Sequence, residues 1–260
     1  MSDIITERSG SILRVQLNRP DKKNAMTSSM YVTMADILNE AAKDEQIRVV
    51  LWYGAGDSFT AGNDVEDFLK NPPGPGDSPQ ARLIAALINF DKPLVAAVKG
   101  AAVGGGTTML THCDFVYAGE STRFQVPFIN LGLVPEFGSS YSVPARIGYL
   151  RAAELILLGQ PFDAHRAAEL GLVTRVVPDD KLLATATETA QKLTQKPFGA
   201  LRACKRLMKL SSRGQLEQAV KVELEEFASR VRSAEAKEAF TAFIEKRPPD
   251  FTKIKEAAAK

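Results

Sequence analysis

The chain has 260 residues, of which 45% are hydrophobic and 25% are charged, and its formal net charge is +2 at pH 7. This composition is typical of a globular protein with a sizeable core, and the small net charge gives no argument for nucleic acid or a membrane as partner. No apolar run is long enough to span a bilayer and no secretory leader begins the chain, so we expect a cytoplasmic protein. The 2 cysteines are too few for a disulfide framework, and the 2 histidines argue against a histidine-based metal site. We expect His112 in the core and His165 at the surface.

The first half of the chain alternates patterns of strands and helices, which indicates an α/β class. The predicted elements are a strand over 12–17, a helix over 28–43 capped by Thr27, a strand over 47–53, a helix over 65–69, a helix over 80–89 and a strand over 93–98. Residues 71–79 contain four prolines and two glycines, which exclude a helix or a central strand. This segment is either a lid beside a site or a simple linker.

The second half becomes helical toward its end. The predicted elements are short strands over 114–118 and 122–126, helices over 142–158 and 163–170, and a strand over 173–177. From residue 180 onward the pattern is wholly helical, with breaks predicted at 196–199 and 211–214. We therefore expect an α/β body over 1–195 and a helical region over 196–260.

Two glycine-rich segments, 54–64 and 99–108, each join a predicted strand to a predicted helix. The free N–H groups at the start of a helix carry a partial positive charge, so each segment predicts a cradle for an anion or for an oxygen that becomes anionic. Either the two cradles converge on one point or they are unrelated turns. The glycine spacing excludes the dinucleotide motif and the phosphate-binding loop, and no serine-hydrolase elbow is present.

The most informative acid is Glu136, which lies between Pro135 and Phe137 in the least polar stretch of the chain. An apolar pocket disfavours the charged form of a carboxyl group and raises its pKa, which suits a general base or acid near neutrality. The alternative is a glutamate in a surface turn. For Asp64 and Glu66, which follow the first glycine-rich segment, we expect a role in capping the next helix.

Several motifs occur in a fixed order and together cover nearly the whole chain. They are Asn18-Arg-Pro20, Lys23-Asn-Ala25, Phe59-Thr-Ala-Gly-Asn-Asp64, Gly100-Ala-Ala-Val-Gly-Gly-Gly106, Cys113-Asp114, Phe124-Gln-Val-Pro127, Gly132-Leu-Val-Pro135, Ala168-Glu-Leu-Gly-Leu-Val173 and Phe243-Ile-Glu-Lys-Arg-Pro248. With them the chain resembles the crotonase superfamily of enoyl-CoA hydratases and isomerases. The resemblance implies a crotonase-type spiral of repeated ββα units with a C-terminal α-helical trimerisation region, and hence a homotrimer or a dimer of trimers.

The resemblance also implies an oxyanion hole, in which two backbone N–H groups bind the thioester oxygen of an acyl-CoA substrate. Carried onto this sequence, these donors are the amides of Ala61 and Gly105. Glu136 matches the single catalytic glutamate of the Δ3,Δ2-enoyl-CoA isomerases of fatty acid metabolism, which takes a proton from C2 and returns it to C4. No metal and no separate cofactor are implied, because CoA arrives as part of the substrate.

The hydratases of the same family use two glutamates, and this chain has Thr108 and Phe128 at those positions. The alternatives are a hydratase, an acyl-CoA lyase or 4-chlorobenzoyl-CoA dehalogenase, and a non-catalytic member that binds acyl-CoA or RNA. A basic stretch over 196–213 is either a solvated helix face or a surface for CoA phosphates or RNA, although we do not expect nucleic acid as a partner. The resemblance places further contacts to substrate or CoA at Lys23, Ala25, Asn63, Asp64, Val65, Phe128 and Lys246.

Overall fold

The computed structural model describes residues 2–74 and 76–254. Its strands are β1 (Ile4–Ser9), β2 (Ile12–Leu17), β3 (Val49–Gly54), β4 (Leu94–Val98), β5 (Ala101–Val103), β6 (Phe115–Gly119), β7 (Arg123–Gln125), β8 (Phe162–Asp163) and β9 (Arg175–Val177). Its α-helices are α1 (Ser28–Lys43), α2 (Val65–Lys70), α3 (Pro79–Asn89), α4 (Gly105–Thr108), α5 (Ser139–Ile147), α6 (Tyr149–Leu158), α7 (Ala164–Glu169), α8 (Leu182–Thr194), α9 (Phe198–Arg230) and α10 (Ala234–Ile244).

The larger sheet has the strand order β1-β2-β3-β4-β6-β9. All its neighbouring pairs are parallel except β1 and β2, which are antiparallel. Every residue of β4 is buried, as expected for a central parallel strand with helices on both faces. One face carries α1 and α3, and the other carries α8.

The smaller sheet has the order β5-β7-β8, with β5 and β7 parallel and β7 and β8 antiparallel. Its first two strands each follow a strand of the larger sheet directly, so the chain passes from β4 to β5 and from β6 to β7. In the unit β4-β5-α4, two strands are followed by a helix, as the ββα expectation requires. Strand β5 also bonds to the first glycine-rich segment, because the Thr60 N–H donates to the Ala101 carbonyl at 2.9 Å and the Val103 N–H to the Thr60 carbonyl at 3.1 Å.

Most predicted elements are confirmed to within a few residues, including the Thr27 cap on α1, whose side chain accepts the Met30 N–H. The structure differs from the expectations in some details. The segment 99–108 contains β5 and all of α4, so it holds more secondary structure than the predicted link between a strand and a helix. The helix predicted over 142–158 is two helices, separated at Gly148 with φ of 83°. Strand β1 was missed because only Ile4 of its six residues is buried, so it lacks an alternating pattern.

The predicted break at 211–214 is absent, and α9 runs unbroken for 33 residues. Gly214 lies inside this helix, where a glycine costs only about 1 kcal/mol relative to alanine, too little to end a helix with long flanks. The chain then returns through α10 to the body. The division at residue 195 stays a prediction, and residues 255–260 of the predicted helical region lie outside the described part of the chain.

An aromatic cluster joins the C-terminal helices to the rest of the fold. The Phe68 ring of α2 lies 6.2 Å from the Phe227 ring of α9 and 5.4 Å from the Phe240 ring of α10. Phe128 lies 6.3 Å from Phe227 between ring centroids. Within the described residues, no helix has both the length and the apolar character that a membrane crossing requires.

Candidate active site

A cavity of about 330 Å³ lies where the two glycine-rich segments meet. Ala61, Gly62 and Asn63 of the first segment line it, as do Val103, Gly104 and Gly105 of the second. The prediction that the two segments converge is therefore confirmed. The remaining wall is mainly apolar and includes Val65, Phe68, Pro127, Phe128, Leu131, Leu133, Phe227, Phe240 and Phe243.

The backbone donor of the first segment is not the predicted one. Ala61 lines the cavity, but its N–H donates to the Lys23 carbonyl at 2.9 Å, so the prediction that it binds a substrate oxygen was wrong. The next donor along the chain is also used, since the Gly62 N–H donates to Thr60 Oγ1 at 3.1 Å. The Asn63 N–H, in contrast, has no acceptor among the described residues.

The pairing of this segment with Met26 explains why Asn63 is left free. Met26 and Asn63 form a parallel β-bridge. In this bridge the Met26 N–H donates to the Gly62 carbonyl and the Asp64 N–H donates to the Met26 carbonyl, each at 2.8 Å. The N–H of the residue between two bonded neighbours points to the opposite side of the strand. The sequence motif alone does not fix this register, so it could not show whether Ala61 or Asn63 has the free N–H group.

Gly105 is the first residue of α4, and its N–H has no acceptor among the described residues, as expected at a helix start. A side chain is excluded here by close neighbours. A Cβ atom on Gly105 would lie 2.7 Å from Glu136 Oε1 and 3.2 Å from the Tyr31 hydroxyl oxygen. The glycine therefore allows a carboxyl group to approach the backbone that lines the cavity.

Glu136 is buried, with 4% of its surface exposed, which excludes the surface-turn alternative. Its Oε1 atom has no hydrogen-bond partner in the described structure. Burial raises the pKa of this carboxyl to about 8, and the nearby negative charge of Glu223 adds to the shift. Glu136 lines a second, small cavity of about 10 Å³ together with Pro73 and Gly74, which places part of the proline-rich segment beside this acid.

Tyr31 connects the two sides of the site and was not predicted. Its hydroxyl donates to Asn63 Oδ1 at 2.6 Å. Burial, and secondarily the charge of Glu136, raises the pKa of Tyr31 well above its ordinary value, so the phenol stays protonated as a donor. In the sequence Tyr31 is one more apolar residue on the buried face of α1, and no signal there distinguishes it from a core residue.

The two positions where a hydratase has its glutamates carry no acid. Thr108 is buried and its Oγ1 donates back to the Gly104 carbonyl at 3.3 Å. Phe128 lines the cavity, and its ring lies 3.9 Å from where a Cβ on Gly104 would be. The cavity wall is therefore apolar at Phe128, where the second acid of a hydratase would stand.

Asp64 serves the helix and not the cavity, which corrects the expectation of a substrate contact. Its Oδ1 accepts the Asp67 N–H at 3.2 Å and so caps α2, which confirms the capping prediction for this residue. Its Oδ2 pairs with Arg19 Nη1 at 3.0 Å. Asp64 does not line the described cavity, whereas Asn63 and Val65 on either side of it do.

The remaining predicted contacts lie away from the cavity wall. Lys23 and Lys246 are exposed, and neither they nor Ala25 line the cavity in the described structure. Contacts of these three residues with CoA stay predictions. The Lys23 and Ala25 carbonyls have structural roles, because they accept hydrogen bonds from the Ala61 N–H and from Arg19 Nη1, respectively.

Neither histidine is placed for catalysis. His112 is buried, its Nε2 lies 2.8 Å from the Phe137 carbonyl oxygen, and burial lowers its pKa to about 4, so it is a neutral core residue as predicted. His165 is exposed, also as predicted. In the described part of the chain, no three His, Cys, Asp or Glu side chains are grouped so that they could hold a metal ion.

Much of the basic stretch is paired within the protein. Arg202 bonds to Asp91 at 2.6 Å, and the buried Lys205 bonds to Asp114 at 2.6 Å. Arg213 bonds to Glu217 at 2.8 Å. Three of the cations in the stretch therefore either anchor α9 to the body or form an ion pair within α9. This weakens the argument for a surface that binds phosphates or RNA.

Comparison with known proteins decides the family. The family model described as enoyl-CoA hydratase/isomerase matches residues 7–254. The chain belongs to the enoyl-CoA hydratase/isomerase family. The solved structure of OdaA from Pseudomonas aeruginosa is similar to it, with a TM-score of 0.92 and 44% sequence identity over 94% of this chain and 99% of that one. The protein thus has the predicted crotonase fold and is an enzyme of this family.

Relatives in the enoyl-CoA hydratase/isomerase family carry names of both reaction types. The 2,3-dehydroadipyl-CoA hydratase of Escherichia coli is 33% identical over 96% of this chain and 99% of its own length. Enoyl-CoA delta isomerase 2 of Rattus norvegicus is 32% identical over 94% of this chain and 64% of its own length. Similarity alone therefore does not separate hydration from isomerisation, and the residues at the site must do so.

Proposed function

We propose that the protein is a Δ3,Δ2-enoyl-CoA isomerase, which moves the double bond of an acyl-CoA thioester from C3 to C2. The observation that carries the proposal is the buried acid Glu136 beside the Gly105 backbone, with Thr108 and Phe128 at the positions of the hydratase glutamates. A 1,3-proton shift needs one group that takes and returns a proton. Hydration needs a second group to activate water.

The Asn63 and Gly105 amides are the proposed oxyanion hole, with Asn63 in place of the predicted Ala61. Both N–H groups are free of acceptors among the described residues, and both residues line the cavity. They would donate to the thioester oxygen and stabilise the enolate that forms when a proton leaves C2. One such donor contributes roughly 10²–10³-fold to the rate in well-studied enzymes. The Tyr31 hydroxyl, bonded to Asn63 Oδ1, fixes the residue that carries one donor.

Glu136 is the proposed base. Its carboxylate takes the C2 proton, the negative charge delocalises over the dienolate and the thioester oxygen, and the carboxylic acid returns the proton to C4. The pKa of about 8 makes the carboxylate a stronger base than an exposed glutamate. Because Gly105 has no side chain, the Glu136 carboxyl group lies against the backbone that lines the cavity.

The apolar wall suits this chemistry because it keeps water from the dienolate. Phe128 and the cluster around Phe68, Phe227 and Phe240 also provide the surface that an acyl chain would bury. The proposed 1,3-proton shift needs no cofactor besides the CoA that is part of the substrate. The proposed substrates are enoyl-CoA thioesters with an unbranched apolar acyl chain.

The test of this assignment is the partition between two reactions in the wild-type enzyme. We expect rapid conversion of 3-hexenoyl-CoA to 2-hexenoyl-CoA, followed by absorbance of the conjugated thioester, and poor hydration of crotonyl-CoA in the same preparation. Hydration as fast as isomerisation would contradict the proposal, because it would require a second acid that activates water.

We also propose that the enzyme assembles as a homotrimer or a dimer of trimers through its C-terminal helices. Helix α9 exposes large apolar side chains, with Leu207 68%, Met208 73% and Leu210 68% accessible in the single chain. Such a patch is unusual for a monomer surface. Light scattering coupled to gel filtration should give the mass of three or six chains, and a stable monomer would contradict the assembly.

A further inference from the structure

The turn that carries Glu136 has an unfavourable backbone. Phe137 has φ of 64° and the next residue, Gly138, has φ of 67°. The left-handed region is sterically poor for a bulky residue such as phenylalanine, and it persists where surrounding contacts hold it. The position of the Glu136 side chain therefore depends on the groups that bind residues 137–140.

Glu223 of α9 binds the backbone of this turn. Its Oε2 accepts the Gly138 N–H at 2.6 Å and its Oε1 accepts the Ser140 N–H at 2.7 Å. These N–H groups lie at the start of α5, where no intrahelical acceptor exists. Glu223 is itself buried, with 6% of its surface exposed. The second contact to the turn is the His112 ring, whose Nε2 lies 2.8 Å from the Phe137 carbonyl oxygen.

The two carboxyl groups share one small cavity but have different partners. Glu136 and Glu223 line it together with Gln80, whose Oε1 has no partner in the described structure. Burial raises the pKa of Glu223, and its hydrogen bonds from the Ser140 and Gly138 N–H groups act in the opposite direction. Glu223 is therefore bonded to the turn, whereas Glu136 Oε1 has no partner in the described structure.

The groups that act electrostatically on Glu136 come from two elements. Glu223 on α9 is the charged group that raises the pKa of Glu136. Tyr31 on α1 interacts with Glu136 but stays protonated, since its own pKa is raised well above the ordinary value by burial. His112 contacts the turn as a neutral ring. Glu223 is therefore the neighbour whose charge can influence when Glu136 ionises.

We propose that Glu223 is a positioning residue for Glu136: it fixes the strained turn that carries the base by accepting the Gly138 and Ser140 N–H groups. The inference deepens the proposed function and rests on it, because it assumes that Glu136 exchanges a proton with the substrate. It also gives helix α9 a role in the active site of its own chain.

The test is the Glu223→Gln enzyme with 3-hexenoyl-CoA as substrate. An amide has one acceptor oxygen in place of two, so one N–H of the turn loses its partner. We expect kcat to fall roughly 10- to 100-fold, as for a misplaced catalytic group, while KM changes less than about threefold. The pH of half-maximal kcat/KM should move down by about half a unit or more, because a like charge is removed. A purely structural role would not move this midpoint.

The matched control is Glu226→Gln on the same helix. Its side chain is 50% exposed and pairs with Arg230 at 3.2 Å, so kcat and the pH midpoint should stay at the wild-type values. Glu223→Asp provides a second variant that keeps the charge but shortens the reach. We expect its kcat to fall and its pH midpoint to stay nearer the wild type than that of Glu223→Gln.

Unchanged kcat and an unchanged pH midpoint in folded Glu223→Gln enzyme would overturn the inference. If that variant does not fold, as judged by circular dichroism, wild-type kcat in Glu223→Asp would overturn it instead. Failure of the proposed function gives a different result, since the wild-type enzyme would then not isomerise 3-hexenoyl-CoA, or Glu136→Gln would retain the isomerisation. Loss of activity in Glu136→Gln with no change in either Glu223 variant would reject only the role of Glu223.

Discussion

Two regions near the cavity each place a carboxyl group beside a glycine-rich segment, and their surroundings are opposite. At the start of α2, Asp64 binds Arg19 and the Asp67 N–H. In the turn before α5, Glu136 is buried with an unpartnered Oε1 and a pKa of about 8. The first carboxylate is committed to holding the fold, and the second is free to exchange a proton. What distinguishes the structural acid from the catalytic acid is therefore the set of groups bonded to each carboxyl group, and not its distance along the chain from a glycine-rich motif.

The largest effect should come from removing the free acid. Glu136→Gln keeps the shape of the side chain but cannot take a proton, so kcat for 3-hexenoyl-CoA should fall by at least the 10²–10⁴-fold that general base catalysis contributes. Binding of the CoA ester, measured by calorimetry, should stay near the wild-type affinity. Retained turnover in this variant would remove Glu136 from the mechanism.

The next effect should come from closing the space beside that acid. Gly105→Ala places a methyl group 2.7 Å from the Glu136 Oε1 position, so the acid or the backbone donor must move. We expect kcat to fall by about 10²–10³-fold, the scale for loss of one oxyanion donor. Gly214→Ala is the matched control, because a Cβ there meets no atom within 4 Å. It should leave kcat unchanged, and a similar loss in both variants would contradict the role of Gly105.

A smaller effect should appear when pH is changed in the wild-type enzyme. The active form of Glu136 is the carboxylate, so kcat/KM should rise about tenfold per pH unit below about pH 8 and level off above it. The folded-state pKa is raised from 4.5, so stability linked to this group is present below about pH 4.5 and is lost as pH rises through about 8. Glu136→Gln should therefore gain thermal stability over the wild type as pH rises across that window. If the difference in thermal stability between the two enzymes stays constant between pH 5 and 9, Glu136 ionises with an ordinary pKa.

The smallest catalytic effect should come from the structural acid. Asp64→Ala removes the α2 cap and the Arg19 partner, so the free energy of unfolding should fall by about 1–2 kcal/mol in a urea titration. Asp64→Asn keeps a good cap acceptor and should lose less. In both variants kcat should fall less than about threefold, far less than in Glu136→Gln. A loss of kcat comparable to that of Glu136→Gln would erase the distinction between the two acids.

Sequence patterns predicted the α/β class, the buried Glu136 and the convergence of two glycine-rich segments. These succeed because apolar periodicity and clustered glycines report burial and close backbone approach directly. They did not predict which amide of the first segment is free, since this depends on the pairing of Asn63 with Met26 across the fold. Tyr31 and Glu223 were missed for the same reason. Each lies on an ordinary helix, and only the tertiary structure brings it to the site.

The central claim is that one shielded carboxyl group carries the same proton from C2 to C4. The direct measurement is a single turnover of 3-hexenoyl-CoA dideuterated at C2 in ordinary water, with the product analysed by NMR for deuterium at C4. Because Glu136 is buried in apolar surroundings, deuterium should appear at C4 in the wild-type product, and Glu136→Gln should form no product on that timescale. Product formed by the wild type with only solvent hydrogen at C4 would contradict the transfer by a single shielded base.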